Sequence, residues 1–228
     1  MAYGTNNIMK DYEKWSKYEL GKITWINNRV SHPHRKYFVN YVINNASSVI
    51  EVGPGEMIEY QMISSEKDID YAIVDVSELF IGNCTKNFSN VRIYKMPMEE
   101  LSPDKVDQIY DVIYVASVLE HSKDVRLAVK SLMSVAKRFH FVMFKWSYDG
   151  NLKPTYHKKK KYWSSSFDIH KLLKEIVQWG KIDLCAVALE DGGIVDFKEY
   201  SKGRTGECRT GDYLMIGGTT NVNFDSDN

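Results

Sequence analysis

The chain has 228 residues, with 30 lysines and arginines against 30 aspartates and glutamates, so its formal net charge is zero when the histidines are neutral. Such a balance produces no whole-molecule field that would attract nucleic acid or an anionic membrane. With 43% hydrophobic and 26% charged residues, 14 glycines and 5 prolines, the composition is typical of a globular chain and excludes a fibrous or disordered one.

Length and cysteine usage predict one domain in a reducing compartment. A chain of this length buries roughly 70% of its unfolded surface, so it needs neither disulfides nor a structural metal to build a core. Cys84, Cys185 and Cys208 are far apart, and with the histidines they form no ligand cluster. No apolar run approaches the roughly 18 residues of a membrane-spanning helix. We therefore expect a cytoplasmic protein without a metal.

Residues 1–46 are predicted to form a helical cap that belongs to the same domain as the rest of the chain. Aromatic side chains at helical spacing more often pack in a core, but Tyr12 and Trp15 are also candidates to line a substrate pocket under the cap. The side chains at helical spacing are Tyr12, Trp15 and Tyr18, followed by Tyr37, Phe38, Tyr41 and Val42.

From residue 47 to residue 220, short apolar runs alternate with longer amphipathic stretches, a pattern typical of parallel strands joined by crossover helices. The predicted fold class is α/β, with a seven-stranded, mostly parallel sheet flanked by helices. The seven predicted strands are residues 47–53, 70–75, 91–94, 110–115, 138–144, 181–189 and 213–217.

Apolar residues at helical spacing predict helices around residues 128–136 and 172–177, the second ending before Gly180. Ser77 is a candidate N-cap for a helix after the second strand. Polar insertions are expected at residues 145–166 and 190–212, and residues 221–228 form a polar tail.

The segment VIEVGPGE (residues 49–56) is an apolar strand that carries an acid near its end and runs into a turn with two glycines. Because glycine lacks Cβ, Gly53 and Gly55 would let a ligand contact the main chain. Asp75 ends the next predicted strand, where a carboxylate can accept both hydroxyls of a ribose. Together with Glu51, these residues predict a nucleoside site at the carboxyl edge of a parallel sheet.

These residues resemble the class I S-adenosylmethionine-dependent methyltransferases. The segment YDVIYVASVLEH (residues 110–121) is similar to the family's fourth-strand motif, and MEEL (residues 98–101) falls where the family contacts adenine. The resemblance covers residues 35–144 and implies a Rossmann-like sheet, with S-adenosyl-L-methionine as cofactor and S-adenosyl-L-homocysteine as product. The cofactor-binding residues that it implies are Glu51, Gly53, Gly55, Asp75, Val76, Met98, Glu99, Ser117 and Arg35.

The sequence departs from the family pattern at two positions. Met57 stands where a third glycine is common, and Pro97 stands where many members carry an acid for the adenine amino group. A nicotinamide dinucleotide site is the main competing interpretation, but it would require glycine or alanine where Ile58 stands. The acids Glu51 and Glu56 would also repel its pyrophosphate.

The resemblance places His121, just past the fourth strand, near the transferred methyl, so it is the candidate catalytic residue, either as a general base or as a group that orients the acceptor. The alternative is a histidine that only bonds locally. The basic group that related proteins supply to the cofactor's carboxylate corresponds to Arg35, which could instead be an exposed arginine in the first turn of a helix. In the first insertion, Lys158 and Trp163 are candidates to bind an anionic acceptor, although four consecutive lysines are usually a solvated loop.

The predicted function is methyl transfer to an oxygen or nitrogen of a small, anionic or sugar-containing metabolite. Methylation of RNA or protein, and a non-catalytic scaffold that binds the cofactor, stay open as alternatives. The neutral net charge disfavours a nucleic acid partner, and we expect a monomer or homodimer that binds a small-molecule acceptor.

Overall fold

A computed structural model describes residues 32–148, 155–157, 162–164, 166–209 and 211–221. The helices in these ranges are α1 (Pro33–Asn45), α2 (Ile58–Ser64), α3 (Glu78–Asn87), α4 (Val125–Met133), α5 (Ile169–Ile176) and α6 (Phe197–Ser201). Short 3-10 turns are formed by Met98–Glu100, Pro103–Lys105 and Leu119–His121.

The strands are β1 (Ser48–Val52), β2 (Asp70–Asp75), β3 (Val91–Lys95), β4 (Tyr110–Ala116), β5 (Ala136–Met143), β6 (Trp146–Ser147), β7 (Thr155–His157), β8 (Tyr162–Ser164), β9 (Phe167–Asp168), β10 (Gly180–Ala188), β11 (Ile194–Asp196) and β12 (Tyr213–Thr220). Eight of them form one sheet in the order β11-β10-β12-β5-β4-β1-β2-β3. The strands β1 to β5 are parallel, whereas β12 runs antiparallel to β5 and β10, and β11 runs antiparallel to β10.

The sheet confirms the predicted α/β class and adds one strand to the seven predicted. The additional strand is β11, which lies in the insertion at residues 190–212 and pairs with the end of β10. Only two apolar residues, Ile194 and Val195, carry it, which is too short a run to show as a strand in the sequence. The turn at Gly192, with φ of 107°, brings it back onto β10.

Helices cover both faces of the sheet. On one face, Phe38 and Val42 of α1 are fully buried against Val49 and Tyr114, and the rings of Phe38 and Tyr114 stack 3.8 Å apart. On the other face, α4 and α5 bury a second apolar cluster against the opposite side chains of the same strands. Alternation along each strand therefore fills two cores, as expected for a sheet buried on both sides.

One local prediction, on the end of α4, needs correction, and two, on the end of α5 before Gly180 and on the cap of α3, are confirmed. The helix α4 ends at Met133, and Ala136 begins β5 because this segment pairs with β4. The helix α5 ends at Ile176, while Gly180 begins β10; a Cβ there would lie 2.3 Å from the Thr219 carbonyl oxygen, so close strand packing requires the glycine. Ser77 caps α3 as predicted, since its hydroxyl accepts a hydrogen bond from the Phe80 amide.

The first insertion contributes to two small sheets that are separate from the main sheet. In them, β6 pairs with β9, and β7 pairs with β8 as an antiparallel hairpin. Within the predicted cap, α1 is helical as expected, whereas residues 1–31 lie outside the described residues. Among the helices that the structure describes, none has the length and apolarity to cross a membrane.

Candidate functional site

The strand order reverses between β1 and β4, because the chain passes from β1 to β2 and β3 on one side and to β4 and β5 on the other. In open α/β sheets, a crevice for ligands forms at the carboxyl ends of the strands that flank such a switch point. The segments that follow β1 and β4 therefore define the candidate site.

A left-handed turn follows β1 directly. Gly53 and Gly55 have φ of 63° and 56°, a region that suits glycine. A Cβ on Gly53 would lie 2.5 Å from Cγ2 of Val118, in the loop after β4, whereas a Cβ on Gly55 would meet no atom within 4 Å. The first glycine is thus required by packing across the switch point, and the second borders open space.

Two non-glycine residues also adopt left-handed backbone conformations at this edge. Met57 (φ of 61°) precedes α2, and Ser117 (φ of 59°) follows β4. Each costs about 1–2 kcal/mol relative to ordinary backbone, and such strain clusters at functional sites. Met57 occupies the place of the missing third glycine and takes the conformation that a glycine would take, while its side chain is fully buried.

A buried cluster of charged and phenolic groups lies behind the glycine turn. Nη1 of Arg35 is 2.7 Å from Oε1 of Glu59, which also accepts a hydrogen bond from the Tyr114 hydroxyl at 3.2 Å. The Tyr71 hydroxyl donates to Oε2 of Glu51 at 2.7 Å. Burial, followed by the charge of Glu59, raises the pKa of Glu51 well above its usual value. One guanidinium therefore faces two carboxylates, those of Glu59 and Glu51.

The position of Asp75 is set by its own local hydrogen bond. Its Oδ1 accepts from the amide of Ser77 at 2.8 Å, and Ser77 in turn caps α3. This arrangement places Asp75 at the carboxyl end of β2, next to the glycine turn that follows β1.

The turn after β3 is joined to the loop after β4. Met98 is buried in this turn. Oε1 of Glu99 accepts hydrogen bonds from the Ser122 hydroxyl at 2.7 Å and from the Lys123 amide at 3.0 Å. The predicted contact of Glu99 with adenine stays a prediction, and the structure shows that this carboxylate supports the neighbouring loop.

The loop after β4 carries two buried titratable side chains. His121 is buried, and its amide donates to the Val118 carbonyl at 2.8 Å. Glu120 is 0% exposed, and its Oε1 accepts from the amides of Phe144 at 2.8 Å and Lys145 at 3.4 Å. Its Oε2 has no hydrogen-bond partner among the described residues.

No protein-family model and no curated protein sequence matches this chain. Among solved structures, the Burkholderia thailandensis 1,6-didemethyltoxoflavin-N1-methyltransferase with bound 1,6-didemethyltoxoflavin and S-adenosylhomocysteine is similar over 93% of this chain and 87% of its own, with a TM-score of 0.64 at 12% identity. The N-methyltransferase NodS from Bradyrhizobium japonicum WM9, with S-adenosylhomocysteine, matches 83% of this chain and 86% of its own, with a TM-score of 0.54 at 13% identity. The N-terminal domain of EvdMO1 with S-adenosylhomocysteine bound matches 82% and 81%, with a TM-score of 0.57 at 12% identity.

The chain has the class I methyltransferase fold. This finding confirms the fold that the motif resemblance implied. Within the class I methyltransferase fold, the structure brings one group of the predicted cofactor residues to the β1–β4 switch point and places the others on the neighbouring segments. Those at the switch point are Glu51, Gly53, Gly55 and Ser117; those next to it are Arg35, Asp75, Val76, Met98 and Glu99.

The predicted substrate-binding residues lie outside what the structure describes in full. Tyr12, Trp15 and Lys158 lie outside the described residues, and Trp163 belongs to β8, of which the backbone is described. Within residues 32–221, apart from the undescribed gaps, no group of three or more histidine, cysteine or acidic side chains is placed to hold a metal ion.

Several residues of the candidate site were not predicted from the sequence. Glu59, Tyr71 and Tyr114 surround Glu51, and Glu120 was predicted only as part of the segment that is similar to the family's fourth-strand motif (residues 110–121). One signal in the sequence could have indicated this cluster. Glu59 and Tyr114 place polar groups at positions where apolar residues are expected, and a polar group in the core needs a hydrogen-bond partner. Which partner it finds depends on pairing between strands that the sequence does not specify.

Glu120 gives the stability of the protein a specific pH dependence. Burial raises its pKa to about 7, against a partial opposing effect of its backbone hydrogen bonds, from a usual value of 4.5. The folded state then holds a proton that the unfolded chain releases between these values, so this contribution to stability is complete below pH 4.5 and is lost as the pH rises to about 7. We expect Glu120→Gln to flatten the pH dependence of the unfolding free energy by about 1 kcal/mol per pH unit near the middle of this window.

Urea unfolding at several pH values between about 4.5 and 7 measures this slope. Glu100→Gln is the matched control, because this glutamate is exposed and its charge pairs only loosely with Lys105 at 3.9 Å. Equal slopes in wild type and Glu120→Gln would contradict the assignment.

Proposed function

We propose that the protein is an S-adenosylmethionine-dependent methyltransferase that methylates an oxygen or nitrogen of a small, anionic or sugar-containing metabolite. The observation that carries the proposal is the left-handed turn at Gly53 and Gly55, open above Gly55, with the carboxylates Glu51 and Asp75 at the ends of β1 and β2. Open space above bare main chain fits a ligand that contacts the backbone.

The charges around the turn distinguish this cofactor from a dinucleotide. A pyrophosphate would be placed at the start of α2, where Glu56 and Glu59 and the neighbouring Glu51 supply negative charge. S-adenosylmethionine has no phosphate and carries a sulfonium and an ammonium group, so it suits an acidic environment. This difference supports the methyltransferase proposal over a dehydrogenase.

The residues present fit the parts of that cofactor. Arg35 is buried, and its Nε has no hydrogen-bond partner among the described residues, so it is suited to donate to the cofactor's carboxylate. Glu51 would face the ammonium group and Asp75 the ribose hydroxyls. The adenine side would be formed by Val76, Met98 and Glu99, and Ser117 would lie near the methyl group.

When bound, S-adenosylmethionine supplies a methyl group on a sulfonium, which is displaced in line by the acceptor. The protein's main task is to align the acceptor atom with the bond between the methyl carbon and the sulfur, and to exclude water. His121 would orient the acceptor and take the proton of an alcohol, whereas a carboxylate or neutral amine needs orientation alone. The Burkholderia and Bradyrhizobium proteins, whose names denote N-methyltransferases, support nitrogen as the acceptor atom.

Asp75→Asn is expected to weaken S-adenosylmethionine binding about tenfold or more, because a neutral amide replaces the carboxylate that accepts the ribose hydroxyls. Asparagine keeps an oxygen for the Ser77 amide, so the start of α3 stays capped. Isothermal titration calorimetry measures the dissociation constant.

The matched control is Asp70→Asn, at the opposite end of the same strand, where the carboxylate pairs with Arg92 on the surface. We expect this variant to bind with wild-type affinity. An Asp75→Asn variant that bound as tightly as wild type would remove the ribose assignment, and a wild type that gave no heat of binding would refute the proposed function.

The acceptor is identified by incubating the protein with methyl-labelled cofactor and separated pools of small metabolites, RNA and protein. Label in the metabolite pool is expected. Label only in RNA or protein would support a methyltransferase that acts on those macromolecules. Cofactor binding without any methyl transfer would support a non-catalytic scaffold.

A further inference from the structure

The loop at residues 117–123 occupies a central place in the proposed methyltransferase site. It begins with the left-handed Ser117, continues with Val118 packed against Gly53, and carries His121. A strained backbone persists only where surrounding contacts determine it. The contacts that hold this loop in place therefore matter for the geometry of the site.

The side chain of Glu120 holds the middle of this loop. Its Oε1 accepts from two amides, those of Phe144 and Lys145, which lie directly after the end of β5. Lys145 begins the insertion at residues 145–166, and both amides lie at the carboxyl end of β5. The carboxylate thus joins the ends of β4 and β5, two neighbouring strands of the sheet.

The same loop is held at its far end by Glu99. This carboxylate accepts from the hydroxyl of Ser122 and the amide of Lys123, and its backbone carbonyl accepts from the Ser131 hydroxyl at 3.0 Å. Contacts at both places leave the segment around His121 little freedom to move.

A purely structural role does not explain a buried carboxylate at this position. Glu120 is fully buried, and one of its oxygens lacks a partner among the described residues, which is an expensive arrangement for a packed core. Its carboxylate accepts from the amides of Phe144 and Lys145, which lie in a loop of the candidate site and not in a helix or strand. A buried polar group of this kind is typical of a residue that fixes the conformation of the loops around it.

We propose that Glu120 is a positioning residue of the methyl-transfer site, which holds Val118 on the glycine turn and His121 at the acceptor side by accepting hydrogen bonds from the amides after β5. This inference rests on the proposed function, because it assigns a task within the same site.

The test compares Glu120→Ala and Glu120→Gln in the full chain. We expect Glu120→Ala to bind S-adenosylhomocysteine about tenfold more weakly than wild type and to show faster hydrogen exchange at the amides of Phe144 and Lys145. Glutamine keeps an acceptor oxygen, so Glu120→Gln should restore both affinity and protection to within about threefold of wild type. Calorimetry and amide hydrogen exchange provide the two measurements.

A general loss of stability is controlled by Val187→Ala, which truncates a fully buried side chain on β10, away from the switch point. This variant should keep wild-type affinity and wild-type exchange at residues 144 and 145. If Glu120→Ala does not fold, Glu120→Asp replaces it, because the shorter side chain should lose contact with these amides.

Wild-type affinity and exchange in Glu120→Ala would overturn the proposal, as would a loss of affinity in Glu120→Ala that glutamine does not restore. If the wild-type protein binds no S-adenosylhomocysteine, the proposed function fails, and with it the role of Glu120 in the site. Exchange at residues 144 and 145 then still shows whether Glu120 holds the loop, so the two failures are distinguishable.

Discussion

Arg35→Met is expected to lower the free energy of unfolding by about 3–5 kcal/mol at about pH 8. The substitution removes the cation that faces Glu59, which is 2% exposed, and leaves two neighbouring carboxylates in the core. Removing one partner of a buried ion pair costs more than the pair contributes, because the remaining charge has no compensation. Chemical denaturation at equilibrium measures the change.

The loss should be smaller at about pH 5, because the raised pKa of Glu51 allows the carboxylates to take up a proton as the pH falls. The double variant Arg35→Met with Glu59→Gln should recover most of the lost stability. Arg92→Met is the surface control: its guanidinium is 41% exposed beside Asp70, so we expect a loss of about 1 kcal/mol or less. A pH-independent loss without rescue by Glu59→Gln would show that Arg35 acts through packing alone.

Gly53→Ala is expected to destabilise the protein by about 2–5 kcal/mol and to abolish cofactor binding. The added methyl would enforce a left-handed alanine and would meet Val118 at 2.5 Å, in a loop whose other contacts prevent it from moving away. Thermal or urea unfolding reports the stability, and calorimetry reports the binding.

Gly55→Ala provides the matched comparison. It has nearly the same backbone conformation, but the new methyl would meet no protein atom within 4 Å, so only the conformational cost of about 1–2 kcal/mol remains. We expect cofactor binding to be lost here as well, because the methyl would project into the space assigned to the ligand. Equal losses of stability in the two variants would show that the Val118 side chain moves aside at little cost in free energy. Wild-type cofactor affinity in Gly55→Ala would contradict the proposed position of the cofactor.

The fold was predictable from the sequence where hydrophobic patterning is strong. Apolar runs such as VIYV (residues 112–115) specify buried strands, and all seven predicted strands are present. Hydrophobic patterning gave the wrong boundary where a helical spacing runs into a strand. Ala136 continues the helical spacing of α4, but it pairs with Tyr110 in the sheet. Patterning also failed for β11, whose pairing depends on the turn at Gly192.

The site was predictable only in part. Gly53 and Gly55 could be recognised from the sequence, because few residues other than glycine tolerate a left-handed backbone conformation. The partner of Glu51, by contrast, is Tyr71, which is 20 residues away along the chain and adjacent only after β1 and β2 pair in a defined register. The same holds for Glu120, whose two amide partners follow a different strand. Long-range pairing of this kind leaves no local trace in the sequence.

The position of β12 inside the sheet has a consequence for how the protein forms during translation. This strand follows every other described strand along the chain, yet it lies between β5 and β10. Until the ribosome has released it, both neighbours expose a free strand edge that can pair with another nascent chain. The sheet can therefore be completed only after β12 has been synthesised, and premature termination before residue 213 would leave a template for aggregation in place of a smaller folded protein.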